Sequence, residues 1–277
     1  MTYQRRVAVT IGTTEGGPAR RVEGLRVAFR VIMTASSLPF EASIEVYNPA
    51  PQTVAAARAP NAQIILEAGY QAPGVVFRGE PIRGGVRVAK RGPDRILTIE
   101  AADSWRQRGS AWLVKTYAPQ TIAEQVIEDC AASLGVDVGR VFVFGSLIYP
   151  RGVSFSGPAA EVLDHIAESL GASWRIDGGA LYFGPDDRPV IAERGPLITP
   201  ETGLVGSPTL RADVGEDAIE VRSLLLPRMR PGRRFRVRSE VLGSGARDYT
   251  AREVMHVGDA GWDQPYYTEI LGVPIDR

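Results

Sequence analysis

Along the first hundred residues the hydrophobic positions recur mostly at period two, the spacing at which alternate side chains of a strand share one face. Val7 to Ile11, Leu25 to Met33, Ala42 to Tyr47, Gln63 to Ala68, Gly74 to Phe77, Val86 to Ala89 and Arg95 to Ala101 read as short strands. Gly16-Gly17-Pro18 and Asn48-Pro49 supply turns, and the Ala-rich stretch Thr53 to Ala59 reads as a short helix. Short strands with this punctuation predict a barrel or sandwich.

The period changes after Pro119. Thr121 and Glu124 have the spacing of a capping box, and Ile122, Val126, Ile127, Cys130 and Leu134 make an apolar stripe that stops at Gly135. A second helix is predicted from Pro158 through Val162, Leu163, Ile166 and Leu170 to Gly171, with Pro at its first turn and Gly at its end. Ser173 to Ile176, Asp177-Gly178-Gly179 and Leu181 to Phe183 then form a hairpin. Ile122, Val126, Leu163, Ile166, Trp174 and Tyr182 are the expected core of this module, which should lie peripheral to the β blocks.

Residues 191–208 carry Pro196, Pro200 and Pro208 with little periodicity and read as a surface linker. Strands resume at Ala218 to Val221. Arg233 to Val241 alternates charged and apolar residues, and Asp248 to Val257 does so less strictly before Gly258-Asp259. After Trp262, the run Tyr267 to Gly272 begins a return strand. The expected fold class is mainly β with an α+β insert: two β-barrel-like domains, 1–105 and 191–277, flanking a helix/hairpin module at 106–190.

Composition narrows the function. The 277 residues carry 32 basic and 32 acidic side chains, which removes any general electrostatic case for nucleic acid or an anionic membrane. Lys90 and Lys115 are the only lysines, so arginine supplies nearly all the positive charge. Cys130 stands alone, which excludes an intrachain disulfide and a thiolate metal cluster within one chain and fits a reducing cytoplasm. The N-terminal residues lack a signal-peptide pattern and no apolar run approaches the ~18 residues of a membrane span, so a non-exported protein without membrane insertion is expected.

Candidate chemistry is sparse. His165 follows Asp164 on a predicted helix, where sequence neighbours do not face each other, so the pair cannot act as a triad's histidine and carboxylate. His256 ends a predicted strand with no nucleophile motif nearby. Two distant histidines and one cysteine do not match zinc spacing, while carboxylate-only cation sites stay open. The acidic run Asp213 to Glu220 reads as a solvated turn. Glu128 with Asp137, and Glu168 with Asp177, share the first spacing of a lysozyme-like Glu, Asp/Cys, Thr pattern, but Val143 and Phe183 stand where Thr should. Gly16-Gly17, Gly84-Gly85 and Gly178-Gly179 are expected at β turns rather than in phosphate loops, so no cofactor is expected. The strongest charge feature is Arg228 to Arg238, in which Arg234, Arg236 and Arg238 fall on one strand face. That face is either an ion-paired outer surface or a basic strip turned toward a channel or partner.

Three regions resemble the hub proteins of bacteriophage tails. They are "LRVAFRV" with "FEASIEVYNPAPQTV", then "IILEAGYQ" with "GVVFRGEPI", and finally "LLLPRMRPGRRFRVRS" with "MHVGD", "GW" and "TEILGVP". The resemblance implies a structural protein of the contractile-tail baseplate, or of a related injection machine, without an active site. It further implies a homotrimeric ring between a sixfold tail tube and a threefold central spike. The tail tube and spike proteins are then its partners, with tape-measure and baseplate wedge proteins as further candidates. Such a protein is made in the host bacterial cytoplasm and resides in the virion tail. Two other readings remain open: a small tail-associated cell-wall hydrolase, and a carbohydrate- or nucleic-acid-binding β-barrel module.

Overall fold

In a computed structural model, residues 4–13, 19–142, 147–185, 195–243, 245–261 and 264–275 are described. The first block runs β1 (Arg5–Thr13), β2 (Arg20–Glu23), β3 (Val27–Thr34), β4 (Glu41–Tyr47), α1 (Pro51–Ala57), β5 (Ala62–Tyr70), β6 (Gly74–Arg91) and β7 (Asp94–Ala102). The module follows with α2 (Trp105–Ser110), β8 (Trp112–Tyr117), β9 (Thr121–Ile122), α3 (Ala123–Leu134), β10 (Asp137–Val141), β11 (Ile148–Tyr149), β12 (Val153–Pro158), α4 (Ala159–Leu170), β13 (Ser173–Asp177) and β14 (Ala180–Gly184). The last block holds β15 (Leu197–Ile198), β16 (Thr209–Leu210), β17 (Ile219–Leu224), β18 (Arg234–Val237), β19 (Arg247–Asp259) and β20 (Tyr266–Pro274).

The chain is mainly β, with the helices concentrated in the insert as the sequence pattern predicts. Among the described residues both β blocks belong to one 13-stranded sheet, whose main path is β16-β17-β20-β19-β3-β4-β7-β6-β5-β1-β2. The seam is antiparallel pairing of β3 with β19, from Ala28 opposite Asp259 to Thr34 opposite Glu253. Inward residues such as Val9, Val31, Ile44, Leu66 and Leu97 meet Val221, Val254 and Ile270 in one apolar cluster. At the seam Arg26 pairs with Asp259 at 2.8 Å. Tyr266 of β20 enters the first block, where its hydroxyl accepts from the Gly69 N–H (2.8 Å) and donates to the Arg6 carbonyl (2.8 Å).

The module has a second, separate core in which Val126, Leu163, Ile166 and Trp174 are buried. Two expected core residues are not there. Ile122 is 43% exposed, because it lies in β9, paired with β11, rather than inside α3. Tyr182 is half-buried: β14 turns Leu181 and Phe183 inward, which sends Tyr182 to the opposite face beneath Arg175. The capping box does not form either. Ile122 is the N-cap, and the Thr121 hydroxyl donates to the Ala118 carbonyl instead (2.8 Å). Here strand pairing overrides local helix-start chemistry.

The two strands expected at Gly74–Phe77 and Val86–Ala89 are one strand, β6, with a register shift between Pro81 and Val86. Gly84-Gly85 therefore sits in a bulge and not a turn. A Cβ on Gly85 would come within 2.5 Å of the Glu100 carbonyl oxygen, so the close approach needs glycine. The linker reading of 191–208 also fails in part: Leu197–Ile198 pairs in parallel with β18, and Ile198 and Thr199 are buried. The Gly16-Gly17-Pro18 turn, Val143 and Trp262 lie outside the described residues.

Candidate interaction site

The arginine strip is built by strand alternation. On β18, Arg234 and Arg236 are exposed while Phe235 and Val237 point inward, and Phe235 stacks on Tyr249 with centroids 5.7 Å apart. Arg238 continues the exposed row just past the strand. The neighbouring strand supplies opposite charge: Arg234 pairs with Asp248 at 3.1 Å, and Arg236 stands directly opposite Asp248 in the ladder. Arg238 lies 3.7 Å from Glu201. Asp248 raises the proton affinity of Arg234 through their hydrogen bond. Clefts of about 210 Å³ and 430 Å³ flank the row and share Arg234 and Asp248 in their walls.

A second polar site, missed in the sequence, joins the module to the β body. Arg230, in the loop before β18, reaches Asp177 of the β13–β14 turn at 3.6 Å and donates to the Val75 carbonyl of β6 at 2.9 Å. His256 supports that loop. It is fully buried, with Nδ1 2.9 Å from the Thr268 hydroxyl and Nε2 3.3 Å from the Met229 carbonyl. The Met229 carbonyl can only accept, so the neutral imidazole donates to it through Nε2 and Nδ1 accepts from the Thr268 hydroxyl, which also receives the Leu226 N–H. Burial, reinforced by Arg230, pulls the His256 pKa down to about 3, so the ring is neutral.

On the same joint, Arg106 of α2 pairs with Glu80 at 3.0 Å. Arg108 donates to the Ser37 carbonyl and lies over the Trp174 ring, 4.6 Å from its centroid. Asp103, just before α2, accepts from the Phe40 N–H at 2.8 Å. Burial raises the Asp103 pKa to about 7 against the opposing pull of Arg108. The sequence signal was present only as single charges beside Gly, Trp or Pro, with no spacing that would single them out.

The other candidates separate. Asp164 accepts from the Trp174 indole N–H at 2.7 Å and leaves His165 exposed on the next position of α4. Asp213 and Glu220 are both bridged by Arg211, at 2.8 and 2.6 Å, which supplies a cation to the acidic run from the chain itself. Cys130 is buried and its pKa is pushed up to about 12. Among the described residues no group of three or more His, Cys, Asp and Glu could hold a metal ion, and no helix is long and apolar enough to cross a membrane.

No protein-family model matches the sequence, and no curated protein matches it. Solved structures do. A 43 kDa tail protein of prophage MuSo2 from Shewanella oneidensis matches at 10% identity over 97% of each chain, with a TM-score of 0.65. A tail protein from Neisseria meningitidis matches at 10% identity over 96% of each chain, also at 0.65. The chain has a phage tail protein fold. A type VI secretion component of Escherichia coli, described as structurally similar to bacteriophage T4 tail proteins gp27 and gp5, shares this tail fold at 14% identity. That match covers 91% of this chain and 74% of the other, with a TM-score of 0.59.

Proposed function

We propose that the protein is a baseplate hub: a homotrimeric ring that joins the sixfold tail tube to the threefold central spike, with a structural and not a catalytic role. The observation that carries this reading is the tail-protein fold shared over 97% of both chains. The first and last β blocks, 1–105 and 191–277, each present a barrel-like unit, so three subunits offer six near-equivalent positions to a hexameric tube and keep a true threefold axis for the spike. Ring closure also covers strand edges. The module at 106–190 lies outside the ring, toward wedge proteins. Arg234, Arg236 and Arg238 face the channel, where tape-measure protein passes, or an adjoining subunit.

Multi-angle light scattering on the purified chain, alone and with its tube and spike proteins, tests the reading. A trimer, or a trimer formed on addition of partners, is expected. A strict monomer with both partners present overturns it, and release of sugar from purified peptidoglycan would return the hydrolase reading.

A further inference from the structure

The apolar clusters of the β body and of the module share no residue. Polar ties join the two. Arg230 of the body reaches Asp177 of the β13–β14 turn at 3.6 Å, Arg106 of α2 reaches Glu80 of β6 at 3.0 Å, and Arg108 of α2 donates to the Ser37 carbonyl. Of the module's elements α2 makes the broadest approach to the main sheet, against β6, and the same helix packs on α3 and β12 of its own module.

The two ion pairs are built alike. On the body side Arg230 is held by the carbonyls of Val75, Pro227 and Met229, each at 2.9 Å, so it offers a fixed cation to Asp177. Glu80 is buried and also accepts from Gln63 at 3.0 Å, so it offers a fixed anion to Arg106. The body thus presents one positive and one negative socket, and the module brings the matching charges to both.

Closing the joint also carries a penalty. Asp103 Oδ2 and Arg108 Nε and Nη2 are buried without a hydrogen-bond partner among the described residues. Asp103 accepts from the Phe40 N–H through its other oxygen, and Arg108 lies over the Trp174 ring of the module. A buried polar atom left unbonded has lost its hydration without replacement, and opening restores it. Two ion pairs therefore favour the docked position while three dry polar atoms oppose it. Units with separate cores and a polar contact between them move relative to each other unless a large apolar interface prevents it. We infer that this joint is a releasable latch: Asp177 and Arg106 seat on Arg230 and Glu80 in the docked position, and on their release the module swings off the β body as a rigid unit about residues 103–110.

Nitroxide labels at Glu168→Cys on α4 and Glu253→Cys on β19 report the position of the module in the full chain, since both sites are exposed and Cys130 is buried. Electron double resonance should give one narrow distance with the latch intact. Adding Asp177→Asn and Arg106→Gln, which remove one charge from each ion pair, should bring in a second distance, the open fraction rising by about tenfold or more. Amide exchange in α3, α4, β3 and β4 should stay within about twofold of its rate with the latch intact, because neither core is touched. The same distance distribution with and without the two charges would overturn the inference. So would α3 and α4 amides that exchange faster in step with the new distance, which would make the ties part of the module's own fold and not of its position.

Discussion

Gly258 of β19 stands directly opposite Phe29 of β3, and the Phe29 ring occupies the space where a side chain at position 258 would begin. The pair lies on the seam between the two β blocks, so the glycine of the "MHVGD" segment is there to admit a ring from the other block. Gly272 of "TEILGVP" admits a ring from its own block, that of Phe235, whose Cζ would sit 2.5 Å from an added Cβ. Gly258→Ala is therefore expected to destabilise the fold by about 1–3 kcal/mol through overpacking. Denaturant midpoints should show the loss, and Phe29→Leu in the same chain should restore part of it.

Trp174→Ala is expected to cost about 3–5 kcal/mol, because it empties a fully buried site and leaves Asp164 without its indole donor. Since the module has its own core, hydrogen exchange should rise first in α3, α4, β13 and β14. A uniform rise across the β body would show that the two cores unfold as one.

Asp103 gives a pH signature. Its carboxyl has a folded pKa near 7 against an ordinary value of 3.8. The folded state thus holds a proton that the unfolded state has lost, and this group's contribution falls as pH rises from about 4 to about 7. Asp103→Asn can keep the bond from the Phe40 N–H but does not titrate. The variant's stability relative to the parent should be nearly flat below pH 4 and rise by about 4 kcal/mol by pH 8, at ~1.4 kcal/mol per pKa unit. Parallel pH profiles would assign the titration elsewhere.

Replacing Arg234, Arg236 and Arg238 together with Gln should leave the melting temperature within a few degrees, since all three are exposed and exposed ion pairs contribute about 0–1 kcal/mol each. Under the proposed hub role, assembly with tube or spike should weaken, most clearly at low salt. Unchanged assembly at low and high salt would leave the row as an ion-paired outer face.

Much of this architecture was legible in the chain. The short strands, α4 with its Pro and Gly boundaries, and the hairpin at Gly178-Gly179 follow from period and punctuation. What was not legible depends on partners distant in sequence. Thr121 and Glu124 carry a local helix-start signal that pairing of Ile122 with Ile148 overrides. β6 looks like two strands because a bulge and a turn use the same residues, and only the β5 and β7 registers tell them apart. The joint around Arg230 was hidden for the same reason: Asp177, Val75 and His256 come from three separate stretches of chain.

The β3–β19 ladder also sets an order of events during synthesis. Arg26 and Asp259, which close one end of the seam, are 233 positions apart, so β3 leaves the ribosome long before its partner exists. Until then the nascent first block carries an unpaired edge whose inward residues, Val27, Phe29, Val31 and Met33, are apolar. Such an edge recruits whatever strand is nearby, including another nascent copy. Chains arrested before residue 259 should thus be a source of aggregates and substrates for holding chaperones, and completion of β19 is the step that turns a sticky intermediate into a closed fold.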